Sequence, residues 1–206
     1  SYYTKLILER AGVISAEDYV KGLNGTFNYV WNSPALQYFN PIEMSNQAPF
    51  VDAATSVDPV NRENMFISYY SYGSVLGLAF DLSLREKDLN LDDFMQLMWK
   101  RFGKTEVAYT VENIEATLAD YAGAEFAQDF FGKYIYKSNM PDYKNLFEQV
   151  GLQLDRATEK PYFGASFKTT ENGLEISRNT FKDSPAYQAD LDKGDLITSI
   201  DGIAMT

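Results

Sequence analysis

Apolar residues recur at helical spacing from residue 1 to about residue 151 of the chain. In the opening segment "SYYTKLILERAG", Tyr3, Leu6 and Ile7 fall on one helical face, and the stem of Arg10 joins them. Gly12 follows as a natural C-terminal cap. The pattern predicts a helix that is already under way at residue 1, so we expect the helical unit to begin further upstream.

Further helices are predicted where a capping residue precedes an apolar stripe. Ser15, Asn90 and Thr110 stand at such positions. We expect the helix that follows Ser15 to break at Asn24–Gly25. Residues 32–64 contain prolines and no sustained period, which predicts a long loop with one short helical turn.

The pattern changes after Leu154. Short β-like runs surround a turn at Asn172–Gly173, and Ser184 caps a short helix that precedes another strand and an Asp-Gly turn. We predict a helical domain over residues 1–154 and a mixed α+β domain over residues 155–206. The second domain is too short to bury a comfortable core alone, so we expect it to be truncated.

Composition narrows the chemistry that this chain can perform. Its 206 residues carry a net charge of −11, which disfavours a nucleic-acid partner. No apolar run approaches the roughly 20 residues that a membrane span requires, so none is predicted. Because the chain has no Cys and no His, catalysis by its own residues must rest on Tyr, Asp, Glu, Lys, Ser or Thr.

Three tyrosines crowd the start of the helix predicted from "NMFISYYSYGSVLGLAFDLSLRE", namely Tyr69, Tyr70 and Tyr72. A tyrosine hydroxyl needs a hydrogen-bond partner when it is buried. The cluster therefore predicts either a crowded, well-bonded interior or a wet cleft beside it. The residues alone leave both open, together with a purely structural role for all three.

Four segments taken in order resemble the glycyl aminopeptidase family of zinc metallopeptidases. They are "SYYTKLILERAG", "ISYYSYG", "LDDFMQLMWKRFG" and "SPAYQADLDKGDLITSIDG". The resemblance covers nearly the whole chain and is poorest from about residue 32 to residue 60. It implies a mainly α fold: the helical C-terminal subdomain of a thermolysin-like metallopeptidase, followed by a truncated α+β PDZ-like domain.

The resemblance also implies an enzyme that hydrolyses peptides and removes N-terminal Gly or Ala. In that family, a helix with the HExxH motif and a further Glu hold the zinc ion, and all of these residues would lie upstream of Ser1. We therefore expect zinc in the full-length parent and no metal bound by this chain. The chain alone is expected to be inactive.

Within the resemblance, the Tyr-x-x-Gly pattern selects Tyr70, three residues before Gly73, as the catalytic tyrosine. Its phenol would donate a hydrogen bond to the oxyanion that forms when the substrate carbonyl is attacked. Tyr69 is the alternative, because adjacent helical residues point about 100° apart and only one can face the site. Many relatives have Lys where this chain has Tyr72.

The C-terminal segment carries the second resemblance, to a PDZ domain. The residues where a PDZ carboxylate-binding loop would sit are Tyr162, Phe163, Gly164 and Ala165. They imply a peptide C-terminus as a partner. A non-catalytic peptidase-like scaffold with a PDZ adaptor role is the rival hypothesis, and a free-standing helical structural protein is a third. Family members are often exported, so a periplasmic or secreted location is expected from the resemblance.

Overall fold

The computed structural model describes residues 1–51, 61–155 and 161–205. Most of these residues are helical, and a small antiparallel sheet lies near the C-terminal end. The predicted mainly α class is therefore confirmed. In chain order, the α-helices are α1 (Tyr2–Arg10), α2 (Ala16–Lys21), α3 (Leu23–Trp31), α4 (Pro41–Asn46), α5 (Ala48–Val51), α6 (Arg62–Met65), α7 (Tyr69–Arg85), α8 (Leu91–Met98), α9 (Val111–Ala122), α10 (Ala124–Phe130), α11 (Tyr143–Glu148) and α12 (Pro185–Gln188).

Shorter helical turns accompany these helices. A 3₁₀ turn covers Pro34–Gln37. π-helical turns extend α8 over Trp99–Gly103 and α10 over Phe131–Ile135. The α8 segment thus ends at Gly103 through a widened last turn.

The described residues form two compact units. The first contains residues 1–32, 39–47 and 67–155, and the second contains residues 33–38 with the described parts of 48–66 and 156–206. Residues 33–38 and 61–66 thus group with the C-terminal part of the chain, which the sequence pattern did not predict. The division into domains 1–154 and 155–206 stays a prediction, and residues 156–160 near its boundary lie outside the described residues.

Helix α7 forms the centre of the first unit. Helices α1, α3, α4, α8 and α11 all contact it. The hydroxyl of Tyr143, on α11, donates to the carbonyl of Val75 at 2.8 Å, and its ring meets the edge of Phe27 with 4.6 Å between centroids. The position of α7 is thereby fixed from several sides. Its buried apolar side chains are Tyr72, Val75, Leu76, Leu78, Ala79, Leu82 and Leu84.

The predicted helix starts are confirmed at their caps. The side chain of the capping residue accepts a hydrogen bond from the backbone N–H three residues later at Ser15, Asn90 and Thr110. Gly12 and Gly123 follow α1 and α9 with φ of +72° and +101°, in the left-handed region that favours glycine. These local signals are strong because they satisfy backbone groups that the helix itself leaves unpaired.

The predicted loop over residues 32–64 is wrong where the structure describes it. Helix α4 begins at Pro41, and Asn40 caps it while Glu43 reciprocally accepts from the Asn40 N–H, both at 2.9 Å. Proline fits the first position of a helix because that residue's N–H would be unpaired anyway. Pro34 and Pro41 start helical segments rather than mark a loop. Residues 52–60 of the predicted loop lie outside the described residues.

The expected break at Asn24–Gly25 is also wrong. Helix α2 ends at Lys21 with Gly22 as its C-cap, and helix α3 begins at Leu23, so Asn24–Gly25 lies inside α3. A Cβ at Gly22 would lie 3.1 Å from both the Asp18 carbonyl oxygen and the Lys5 Nζ. Close packing at this junction accounts for the break better than the local Asn-Gly signal does.

The buried face of α1 is not the predicted one, which contains Tyr3, Leu6 and Ile7. Tyr2 is the buried residue of α1, whereas Ile7 is 55% exposed. A Cβ on Gly77 would lie 3.2 Å from the Tyr2 Cβ, so glycine at this position of α7 allows α1 to approach closely. The face of α1 is set by this helix contact rather than by its most apolar residues.

The second unit contains the strands. Strands β1 (Phe167–Thr170), β2 (Gly173–Ile176) and β3 (Leu196–Ile197) form an antiparallel sheet in that order. Strands β4 (Ser199–Ile200) and β5 (Ile203–Ala204) form a hairpin. The hairpin between β1 and β2 and the Asp-Gly turn at residues 201–202 agree with the strand pattern in the sequence.

Asn64 joins α6 to the C-terminal segment inside the second unit. This buried side chain donates to the Thr180 carbonyl at 3.0 Å and accepts from the Lys182 N–H at 2.9 Å. It pairs with the backbone much as a neighbouring strand would. This contact explains why residues before α7 belong to the C-terminal unit.

Candidate active site

The start of α7 is held by side chains of neighbouring helices. Ser68, at the N-cap position, makes no capping hydrogen bond with its side chain. Its backbone N–H instead donates to the hydroxyl of Tyr29, on α3, at 2.9 Å. The N–H of Ile67 lies 3.4 Å from the Met44 sulfur, on α4. The first turn of α7, which carries the tyrosine cluster, is therefore anchored within the first unit.

The three tyrosines of this turn have different surroundings. Tyr70 is 61% exposed, and its ring lies 4.7 Å from the ring of Tyr69. Tyr72 is fully buried. The sequence left open a crowded, well-bonded interior or a wet cleft. Tyr72 lies in a crowded interior, but its hydroxyl is not bonded to a described residue, whereas Tyr70 is exposed.

Tyr70 lines a cavity of about 150 Å³ in the first unit. Tyr69, the alternative catalytic residue, does not line it, and neither does Tyr72. The lining residues come from α7, α3 and the start of α1: Ser1, Lys5, Leu23, Thr26, Phe27, Tyr70, Ser71, Ser74, Val75 and Leu78. Its lining combines apolar side chains with the hydroxyl-bearing residues Ser1, Thr26, Tyr70, Ser71 and Ser74. The assignment of Tyr70 as the catalytic residue stays a prediction.

The hydroxyl of Tyr72 is buried and has no hydrogen-bond partner among the described residues. Burial raises the pKa of Tyr72 to about 12, because an ionised phenolate loses its hydration. Tyr72 thus stays neutral near pH 7. It occupies the position at which the resemblance implies Lys in many relatives.

A buried aspartate ties α1 to α7, and the sequence analysis did not select it. Asp81 accepts from the Tyr2 hydroxyl at 2.7 Å, from the Leu91 N–H at 2.9 Å and from the Arg85 guanidinium at 3.3 Å. Burial, reinforced by this hydrogen bond, raises the pKa of Tyr2. The signal in the sequence was an aspartate within the apolar run "LAFDLSLR", with an arginine four residues later.

Lys5 brings a positive charge to the cavity. Its ammonium donates to the Gly22 carbonyl at 3.0 Å, and no carboxylate of a described residue pairs with it. None of the residues that line the cavity is Asp or Glu. Within an acidic chain, this site therefore presents Lys5 and no carboxylate, together with neutral hydroxyl groups.

The described residues do not fit a zinc site. They contain no group of three His, Cys, Asp or Glu side chains close enough to hold a metal ion. The sequence has no His or Cys, the residues that most often bind zinc.

The PDZ-like loop lies in the second unit, just before β1. The carbonyl of Phe163 accepts from the Ala186 N–H and the carbonyl of Gly164 accepts from the Phe181 N–H, both at 3.0 Å. Gly164 has φ +83°, and a Cβ there would lie 2.1 Å from the Ser184 Cβ, so only glycine fits. None of the N–H groups of Tyr162, Phe163, Gly164 and Ala165 donates to another described residue.

The part of the chain that the structure describes contains no helix with the length and apolar character needed to cross a bilayer.

Comparison with known proteins found a similarity that covers the N-terminal part of the chain. The family model described as M61 glycyl aminopeptidase matches residues 1–76. This match supports the family predicted from the sequence, which is a family of peptidases, and the matched segment contains α1, α3 and the start of α7 with Tyr70. It does not extend to the PDZ-like segment. No curated protein matches the chain.

Proposed function

We propose that this chain is the helical part of a zinc-dependent aminopeptidase that removes N-terminal Gly or Ala from peptides. The observation that carries the proposal is the position of Tyr70. Its exposed side chain lines the cavity at the start of α7, within the segment that matches the glycyl aminopeptidase family. The residues that hold zinc in this proposal lie upstream of Ser1.

Tyr70 contributes a neutral hydrogen-bond donor in this proposal. Attack on a peptide carbonyl places negative charge on its oxygen, and a phenol held by the fold can donate to that oxygen without adding a charge of its own. The anchoring of the α7 start by Tyr29 favours such a role, since a donor is effective when it is already oriented.

Tyr69 remains the alternative donor. Its ring contacts that of Tyr70, but it does not line the cavity. A substrate in the cavity would therefore meet Tyr70 first. The preference for small N-terminal residues and the periplasmic or secreted location are proposed from the family resemblance alone.

The proposal is tested with a longer chain that includes the upstream sequence. We expect about one zinc ion per chain and release of Gly from a glycyl-arylamide, with activity lost after chelation and restored by added zinc. Elemental analysis and a chromogenic assay measure these quantities. A folded longer chain that neither binds zinc nor hydrolyses the substrate would contradict the proposal.

A peptide-binding adaptor role is the second candidate, and the PDZ-like loop favours it. The N–H groups of residues 162–165 are unpaired among the described residues, and β1 pairs with β2 on one side only. Such a loop and strand edge could receive a peptide carboxylate and an added strand. Binding of a C-terminal peptide by a folded longer chain that lacks zinc and activity would support this role over the peptidase.

A further inference from the structure

We infer that the cavity beside Tyr70 binds the C-terminal carboxylate of a short peptide, with Lys5 as the residue that recognises it. The inference rests on the proposed function and narrows its substrate class to short peptides with a free carboxyl group. It concerns residues of the first unit alone, and it assigns to Lys5 a role that differs from the oxyanion donation proposed for Tyr70.

The first argument is the unneutralised charge of Lys5. A lysine ammonium has three donor hydrogens, and the hydrogen bond to the Gly22 carbonyl uses one of them. Among the lysines of the first unit, Lys21 pairs with Glu17 and Lys133 with Asp129, each at 2.6 Å, whereas Lys87, Lys100, Lys104, Lys137 and Lys144 resemble Lys5 in lacking a carboxylate partner among the described residues; of these unpaired lysines, Lys5 is the one that lines the cavity. Lys5 has no such partner among the described residues, so it can pair with an anionic ligand.

The second argument is the composition of the cavity wall. No acidic side chain lines it, although acidic residues outnumber basic ones by 29 to 18 in the whole chain. Thr26, Ser71 and Ser74 add hydroxyl groups that can donate to a carboxylate. Ser71 belongs to the first turn of α7, a 17-residue helix whose positive end also favours a negative charge.

The third argument is size. A cavity of about 150 Å³ has the volume of roughly five water molecules in the liquid, enough for one small residue and its carboxylate. Because Tyr70 lines the same cavity, a carboxylate held by Lys5 would lie near the proposed site of hydrolysis. A carboxylate held there would end the peptide close to the cleaved bond, which fits a dipeptide or tripeptide.

The test compares glycyl-alanine with glycyl-alanine amide, which lacks the terminal charge. In the longer, zinc-containing chain, we expect kcat/KM for the free acid to exceed that for the amide by about threefold to tenfold. Lys5→Met should remove this preference. Lys21→Met is the matched control, because Lys21 lies on α2 outside the cavity, and it should retain the preference.

An equilibrium titration of the same two dipeptides into the longer chain after removal of its zinc gives the ratio of dissociation constants without turnover. The same threefold to tenfold preference is expected there, again lost in Lys5→Met and reduced by added salt. An equal preference in wild type and Lys5→Met, or none in wild type, would overturn the inference. Failure of the longer chain to hydrolyse glycyl substrates contradicts the proposed function instead, and the titration still decides whether the cavity binds a carboxylate.

Discussion

At the residue scale, the tyrosines of α7 and α1 are distinguished by their surroundings. Tyr70 faces a cavity, Tyr72 is buried without a partner among the described residues, and Tyr2 is buried against Asp81. The sequence indicated that such hydroxyls need partners, but it could not assign them. The partners of Tyr2 and Tyr143 lie 79 and 68 residues away in the chain, so they depend on helix packing rather than on local pattern.

Tyr72→Phe is expected to raise the free energy of unfolding by about 1 kcal/mol at pH 7, because it removes a buried hydroxyl that makes no hydrogen bond to a described residue. Unfolding in urea measures the change. The matched control is Tyr121→Phe, which removes a hydroxyl that donates to the Asn90 carbonyl at 2.9 Å. The control should lower stability by about 1 kcal/mol.

The difference in stability between wild type and Tyr72→Phe should also depend on pH. The pKa of Tyr72 is raised to about 12 by burial, so the folded state keeps the proton that the unfolded chain releases above about pH 10. This contribution to stability is present below pH 10 and is lost as the pH rises toward 12. Tyr72→Phe should therefore lose less stability than wild type over this interval. A stability loss of more than about 1 kcal/mol in Tyr72→Phe at pH 7 would show that the hydroxyl has a partner.

At the element scale, caps were predictable and helix faces were not. The starts of α8 and α9 could be predicted from Asn90 and Thr110, because the capping hydrogen bond is local. The loop predicted over residues 32–64 was wrong because it was based on prolines. A proline after a capping residue such as Ser33 or Asn40 begins a helix as readily as it marks a loop. The buried face of α1 was predicted wrongly, because Gly77 leaves room for Tyr2 to pack against α7 and this contact is not visible in the local sequence.

Asn90→Ala is expected to lower the free energy of unfolding by about 1 kcal/mol. The Asn90 side chain accepts from the Asp93 N–H at 2.8 Å, and alanine leaves that N–H without its partner. Asn145→Ala applies the same change to an exposed position within α11, where alanine is the better helix former, so stability should stay equal or rise slightly. Equal losses in the two variants, measured by urea unfolding, would contradict the capping account.

At the scale of the whole molecule, the sequence predicted the fold class and the family, and the site only in part. The mainly α architecture is confirmed and the glycyl aminopeptidase family is supported over residues 1–76, whereas the domain boundary, the PDZ-like domain and the role of Tyr70 stay predictions. Motif and resemblance selected Tyr70, but only the packing of α1, α3 and α7 brings it to one cavity with Lys5. That juxtaposition depends on residues far apart in sequence, such as Tyr2 and Asp81.

The measurement that tests the account most directly is kcat for glycyl-arylamide hydrolysis by Tyr70→Phe and Tyr69→Phe in the longer, zinc-containing chain. Removal of the oxyanion donor should lower kcat about 10²- to 10³-fold in Tyr70→Phe, while Tyr69→Phe should change it by less than about threefold. Equal zinc content and equal unfolding midpoints ensure that the two variants are compared as folded enzymes. A large loss in Tyr69→Phe with Tyr70→Phe near wild type would move the role to Tyr69, and no large loss in either would contradict a catalytic tyrosine in α7.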